Sequence, residues 1–201
     1  KELEFTSTVL LHWYLGDGSL PRRANDKIMI PAVVLATNCF SNKDIKSLIE
    51  KLKEMELNFH PVKYKSGFTG KESGFCLYSK TQDGTPFRFF RTIGLECPKE
   101  IANYTTGSKG PGSKMHYFKD KWPTEDEWIR IMSNVDGIGR IIKERRIGMN
   151  LTSAQLAQNI EISSRFMRHI ECGDRYPSIK NLRKILNRLH LNSSDLLDAC
   201  S

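Results

Sequence analysis

Several features are missing from this chain of 201 residues. No two cysteines stand in a C-x-x-C spacing. Cys39, Cys76, Cys97, Cys172 and Cys200 are scattered, which argues against a zinc ribbon or a disulfide framework and for free thiols in a reducing compartment. The five histidines show no HExxH or HxH spacing, so a histidine metal site is not expected. No apolar run is long enough to cross a bilayer, and no signal peptide opens the chain. The expected location is cytoplasmic, associated with a prokaryotic or phage nucleoid. Acidic residues are also short: 23 Asp and Glu against 31 Lys and Arg, for a net charge of +8. That excess favours a polyanionic partner, double-stranded DNA above all, and no membrane. The chain opens at Lys1 without a methionine, so it is expected to be a piece of something longer.

The basic excess is spread along the chain and is densest at residues 106–123 (TGSKGPGSKMHYFKDKWP), with 4 basic side chains against 1 acidic. Gly107, Gly110, Pro111 and Gly112 sit there among serines and lysines, which is linker chemistry. Three segments are therefore expected: an α+β domain over 1–105, a basic Gly/Pro/Ser-rich linker over 106–123, and an all-α domain over 124–201.

In the first segment, Thr6 or Ser7 caps a helix through Leu10, Trp13 and Tyr14 that stops at Gly16-Asp17-Gly18. Ser19–Arg23 and Met29–Thr37 read as strands, the second for its β-branched PAVVLAT stretch. Ser41 and Asp44 form an S-x-x-D capping box before Ile45, Leu48, Ile49, Leu52 and Met55, which recur at helical spacing. Asn58–Lys65 and Gly74–Lys80 read as a hairpin. Thr85 then caps a short helix with Phe87, Phe90 and Ile93 inward. The order is α-β-β-α-β-β-α.

Leu10–Gly18 (LLHWYLGDG), with the strand VLATNCF at Val34–Phe40 and the helix after Ser41, resembles the LAGLIDADG homing endonucleases over about residues 3–105. The resemblance implies a four-stranded antiparallel sheet with helices on one face. It also implies a helix end that brings an Asp carboxylate to the scissile phosphate. Asp17 is then the expected catalytic and metal-binding residue, with the Gly16 carbonyl nearby. The cofactor is Mg2+ or another divalent metal, which takes hard oxygen ligands and activates water. Family members of this kind often place a lysine near the site after a tyrosine. Tyr104 is followed by Thr105, so Lys99 and Lys80 stand as candidate substitutes. One motif supplies one carboxylate. The second is expected from a homodimer or a missing upstream half. The sheet is expected to lie on the major groove, with Ser19, Arg22, Arg23, Lys27, Asn38, Lys63, Lys65 and Lys80 toward DNA, Lys63 and Lys65 sharing one face.

Residues of about 136–198 resemble the Cro/cI-type helix-turn-helix family. The stretches that carry it are IGRIIKERR (138–146), LTSAQLAQNIEISSRFMRHIE (151–171) and GDRYPSIKNLRKIL (173–186). The expected core is Ile138, Ile142, Leu151, Leu156, Ala157, Ile162, Met167, Ile170, Leu182, Ile185, Leu186, Leu196 and Leu197. Ser153–Ile160 is the expected second helix and Ser163–Cys172 the recognition helix, with Ser153, Ser164, Arg165 and Arg168 toward DNA. Glu161 stands where members often have Gly, so a non-Gly residue at positive φ is expected. Together the two resemblances imply a site-specific DNA endonuclease of homing type, of intron or intein origin. The alternative is a non-catalytic transcriptional regulator with a degenerate LAGLIDADG domain. The chain ends in Asp198-Ala199-Cys200-Ser201 and has no splicing Cys at its start, so no protein-splicing activity of its own is expected.

Overall fold

The computed structural model describes residues 5–22, 29–65, 72–105 and 116–200. Contacts divide the chain into two compact units. The first comprises Lys1–Ala24, Pro31–Thr81 and Thr85–Pro123, the second Asn25–Ile30, Gln82–Gly84 and Thr124–Ser201.

The first unit runs α1 (Ser7–Asp17), β1 (Gly18–Ser19), β2 (Val34–Ala36), α2 (Asn42–Glu54), β3 (Phe59–Lys65), β4 (Glu72–Ser79) and α3 (Thr85–Ile93). This is the α-β-β-α-β-β-α order expected, with a four-stranded antiparallel sheet in the order β1-β2-β4-β3. Thr6 caps α1 by accepting from the Val9 amide at 3.2 Å. At α2, Ser41 and Asp44 complete a capping box from both sides. The first two strands are shorter than expected, and prolines explain both. Pro21 cannot donate to a ladder, so β1 pairs only through Gly18 and Ser19. Pro31 delays β2 until Val34. Thr85 lies within α3 rather than before it, and its hydroxyl accepts from the Asn58 amide at 3.3 Å.

The register separates the two faces of the sheet. Leu35, Leu77 and Phe59 lie on the helix side and are buried, with the Phe59 and Phe89 rings 6.0 Å apart. Tyr14 of α1 packs edge-on against Phe89 and Phe90 of α3 at 5.1 and 5.7 Å. On the other face, His60 and Val62 are exposed, Ala36 and Tyr78 half-buried, and Val34 and Cys76 buried.

The second unit is helical: α4 (Glu125–Met132), α5 (Ile138–Gly148), α6 (Ser153–Asn159), α7 (Ser164–Glu171), α8 (Ile179–Leu189) and α9 (Ser193–Cys200). Capping boxes start α4 (Thr124 with Glu127) and α6 (Thr152 with Gln155); Ser163 caps α7. Of the expected core, Leu151, Ile162 and Leu197 are only half-buried; the rest is buried. Trp128, Ile131 and Met132 of α4 join that core.

Two features fix α7 against α5. A Cβ on Gly139 would stand 1.9 Å from the Ile170 carbonyl oxygen, so only glycine lets the helices approach this closely. Beside it, Arg146 donates to Glu171 from Nε at 2.6 Å and from Nη2 at 2.9 Å, and to the Leu151 carbonyl from Nη1 at 2.6 Å. Both side chains are buried. Glu161 adopts φ +63°, as expected where a glycine would be at ease. Lys184 meets it there, donating to Glu161 Oε2 at 2.6 Å and to the Ile160 carbonyl at 3.3 Å. That pair pulls the Glu161 carboxyl below its ordinary pKa, with Lys180 adding to the effect.

A buried, bidentate ion pair is costly to break and cheap to replace whole. Arg146→Met alone should destabilise by about 3–5 kcal/mol, because it leaves the Glu171 charge buried without its partner. Arg146→Met with Glu171→Leu should recover most of that loss. Urea unfolding of the single and double variants checks both halves of the statement, and equal losses in the two would contradict it.

Candidate active site and DNA-facing residues

Helix α1 ends in a carboxylate, which its own dipole disfavours. The last carbonyls of a helix have no intrahelical donors and carry partial negative charge, so an acidic residue there needs compensation. Asp17 is the last residue of α1 and is exposed. Compensation comes from Lys121, more than a hundred residues along the chain. Its ammonium donates to the carbonyls of Leu15 at 2.7 Å, Gly18 at 2.8 Å, Tyr14 at 3.2 Å and Gly16 at 3.4 Å. It also lies 5.9 Å from the centroid of the Tyr14 ring and 5.8 Å from that of Phe118. Burial lowers the Lys121 pKa from its ordinary value, and the charge of Asp17 pulls it partly back up.

The segment that carries Lys121 was expected to be linker. Residues 106–115 lie outside the described residues, but 116–123 belong to the first unit. Phe118–Lys121 forms a 3-10 turn. Tyr117 bridges to Thr105, and the Phe118 amide donates to the Tyr104 carbonyl at 3.0 Å. Trp122 is buried, its indole N–H on the Gly94 carbonyl at 2.9 Å and its ring 5.6 Å from that of Tyr14. The Tyr14 hydroxyl donates back to the Lys121 carbonyl at 2.5 Å. The signal was present in the sequence: a Tyr and two lysines among aromatics (YFKDKW) do not have linker composition. The neighbouring glycines and serines masked it.

Lys80 and Lys99 do not take this place. Lys80 is exposed just past β4, and Lys99 is exposed in the turn after Cys97-Pro98. Arg22, expected to read bases, is turned instead onto the Asp120 carbonyl at 2.5 Å and the Trp122 carbonyl at 2.9 Å, where it anchors the Lys121 segment. Lys63 and Lys65 do not share a regular face, because the register shifts between them. Lys63 pairs opposite Phe75 and so falls on the alternation of Phe59, the helix side, while the open face carries His60, Val62 and Tyr78. Ser19 pairs with Val34 and is exposed; Asn38 is exposed in the turn after β2. Arg23 and Lys27 lie outside the described residues, as does the side chain of Lys65.

The motif's two glycines differ. A Cβ on Gly18 would collide with Tyr14, at 2.0 Å from its ring and 2.6 Å from its carbonyl oxygen; one on Gly16 would meet nothing within 4 Å. Packing among the described residues therefore requires Gly18 and leaves Gly16 without such a reason.

In the second unit, Ser164, Arg165 and Arg168 are exposed on α7, while Met167 and Ile170 are buried. Ser153 does not present its hydroxyl to DNA: the oxygen is buried, with no hydrogen-bond partner among the described residues. His169, one turn from Arg165, pairs with Asp174 at 3.1 Å.

The order of elements and the sheet register define the first unit as an αββαββα domain whose polar focus is the C-terminal end of its first helix. Residues 3–87 match the LAGLIDADG DNA endonuclease family, whose members cleave DNA; the match covers less than half of the chain. No curated protein and no solved structure matches the chain. Among the described residues no three His, Cys, Asp or Glu side chains converge as a metal cage. The donors at the end of α1 are one exposed carboxylate and the carbonyls beside it. That set fits half of a hard-cation site whose other ligands are waters, phosphate oxygens and a second carboxylate.

Because its folded pKa is lowered, the Lys121 ammonium costs stability at neutral pH, and this cost is relieved as pH rises from the folded pKa through the ordinary lysine value. Asp17 works against the shift. Asp17→Asn should therefore lower the Lys121 pKa further, readable as a downward move of its Nζ titration by NMR. An unchanged or rising value would contradict the coupling.

Proposed function

We propose that the chain acts as a divalent-metal-dependent, site-specific DNA endonuclease of homing type. The observation that carries this is the arrangement at the end of α1: an exposed Asp17, within the stretch that matches an endonuclease family, and beside it the half-buried Lys121 of lowered pKa, from beyond that stretch, on the last carbonyls of the helix. Asp17 would hold the metal, with the Gly16 carbonyl near it, and Mg2+ or a similar ion would supply an activated water and stabilise the departing oxygen. Lys121 would put a positive charge beside the phosphate as negative charge grows there. On this reading Lys121 would fill the role expected of Lys80 or Lys99.

One such helix end makes half a site, and α1 carries the marks of a partner. Besides buried Leu10 and Tyr14, it presents Val9, Leu11, Trp13 and Leu15 half-buried, so its apolar surface is broader than its own core uses, while Thr8, His12 and Gly16 are exposed. So broad an apolar surface on one helix fits a further packing partner. The open space over Gly16 suits the close approach of a second helix of the same kind, from another copy or from an upstream half. The second unit would serve as an accessory DNA-binding domain of helix-turn-helix type. In it α7 would enter the major groove and Glu161, neutralised by Lys184, would end α6. Joined to a nuclease domain, it would raise the local concentration of one on the other's site.

Incubation with Mg2+ and a randomised duplex library, followed by sequencing of the ends, should reveal specific cuts. Asp17→Asn should abolish them, and Lys121→Met should reduce cutting by about 100-fold, the scale of losing one preorganised transition-state contact. Tight, salt-sensitive binding with no cutting under any divalent metal would instead support a non-catalytic regulator. Separately, Arg165→Ala and Arg168→Ala should each relax base preference within one part of the site by about 1–3 kcal/mol. A competition assay with singly substituted sites measures it, and uniform weakening across all sequences would assign them to phosphates instead.

A further inference from the structure

Consecutive backbone carbonyls in the segment that returns to α1 are held by side chains from the start of the chain. The Asp120 carbonyl accepts from Arg22 Nη1 at 2.5 Å, the Lys121 carbonyl from the Tyr14 hydroxyl at 2.5 Å, and the Trp122 carbonyl from Arg22 Nη2 at 2.9 Å. The backbone of Lys121 is thus fixed from both sides before its side chain begins. A long, flexible stem ends in a defined place only when its root is fixed, because every free rotor adds entropy that ordering must remove. Arginine suits this work. Its planar fork presents separate nitrogens to the carbonyls on either side of Lys121, a geometry that the single nitrogen of a lysine does not reproduce.

The contacts run in series. Arg22 and the Tyr14 hydroxyl hold the backbone of residues 120–122. From there the Lys121 ammonium reaches the carbonyls of Leu15 at 2.7 Å and Gly18 at 2.8 Å, which stand on either side of Asp17 in the chain. That ammonium is committed to the helix end. A shift of the returning backbone is therefore passed on to the residues around Asp17 instead of being absorbed by a free side chain.

We infer that Arg22 is a positioning residue for the reaction at Asp17: with the Tyr14 hydroxyl it sets, through Lys121, where the end of α1 carries its carboxylate and the Gly16 carbonyl. The inference rests on the endonuclease reading of this helix end and adds a residue that acts through another rather than on the reacting atoms. Its basis is the direction of the donors of Arg22, not its charge. Misplacing a reacting group by about 1 Å costs up to about 100-fold in rate, so a residue outside the reacting atoms can control them.

Arg22→Met, Arg22→Lys and Tyr14→Phe in the full chain test this, with Lys121→Met as the reference. Arg22 is exposed, and Tyr14→Phe keeps the ring among Phe89, Phe90 and Trp122, so the core is retained and dispersed NMR spectra check it. Read at one fixed pH without DNA or metal, the Lys121 Nζ resonance should move in all three variants. On a duplex recovered from the randomised library, Arg22→Met and Arg22→Lys should each slow single-turnover cutting by about tenfold, with DNA affinity and its salt dependence unchanged. Neither should slow Lys121→Met further, because the two residues act as one unit. Arg22→Lys cutting like the parent, or Arg22→Met weakening binding with a salt slope reduced by about 1, would make Arg22 a phosphate contact and overturn the inference. Undiminished cutting in Arg22→Met would overturn it and leave the nuclease reading standing. If the parent chain cuts no DNA under any metal, the nuclease reading falls; a moved Nζ resonance then keeps the positioning of the helix end, and an unmoved one overturns that as well.

Discussion

The geometry of the first unit hangs on one ammonium group. Lys121 gathers the C-terminal carbonyls of α1, of which that of Tyr14 also accepts from the Gly18 amide, and it does so where Asp17 adds a full negative charge to an already negative helix end. Everything that delivers Lys121 there is then constrained. Tyr14 receives the segment with its hydroxyl, Trp122 packs against its ring, and Arg22 fastens the backbone on the far side. A neutral residue could cap those carbonyls through water at no desolvation cost. A half-buried charge with a lowered pKa is a poor choice for stability alone, and local rules are broken most often at sites of function.

The second unit is held by a different kind of contact with the same economy. Arg146 uses three donors at once, two on Glu171 and one on the Leu151 carbonyl just before α6. One side chain thereby positions both helices of the α6–α7 pair relative to α5. Gly139 lets α5 and α7 close to backbone contact beside it. The exposed residues of α7 are consequently presented from a rigid base, which is what a base-reading helix requires if its side chains are to meet hydrogen-bond geometry. Glu161 shows how a departure from the expected glycine is tolerated. Its left-handed backbone is strained, but Lys184 caps the end of α6 and cancels the charge that Glu161 brings.

The periodic parts of both units were legible in the sequence. Ile45 and Leu52 at helical spacing behind an S-x-x-D box, and Met167 and Ile170 opposite Arg165 and Arg168, state their own burial. What could not be read was long-range. Lys121 belongs to the site only because the chain returns to α1 after more than a hundred residues, and no local pattern records that return. Arg22 carries the composition of a DNA contact and the geometry of an anchor, and only its partners distinguish the two. The expected shared face of Lys63 and Lys65 failed for a smaller reason. A strand's two faces are told apart by parity, and one bulge between Lys63 and Lys65 resets it. Ser153 failed because its hydroxyl is turned inward.

The two glycines of the motif carry the argument a step beyond the single chain. Gly18 has a reason within its own fold, since any side chain would strike Tyr14. Gly16 has none among the described residues, and glycine within a helix costs up to about 0.5–1 kcal/mol relative to alanine. A residue that weakens its own helix without relieving a clash needs an explanation outside it. Two are chemically available at this spot: a second helix pressing against α1, or a phosphate and metal at its end. They are one explanation if the partner helix brings the second carboxylate, because its closest approach then falls where Gly16 leaves room and Asp17 meets the ion. The apolar outer side of α1 favours that union, since an isolated nucleotide or metal would not call for Leu11, Trp13 and Leu15 along the helix. On the proposed reading the motif helix would serve as interface and active site at once, with Lys121 as the part of the site that the chain supplies to itself.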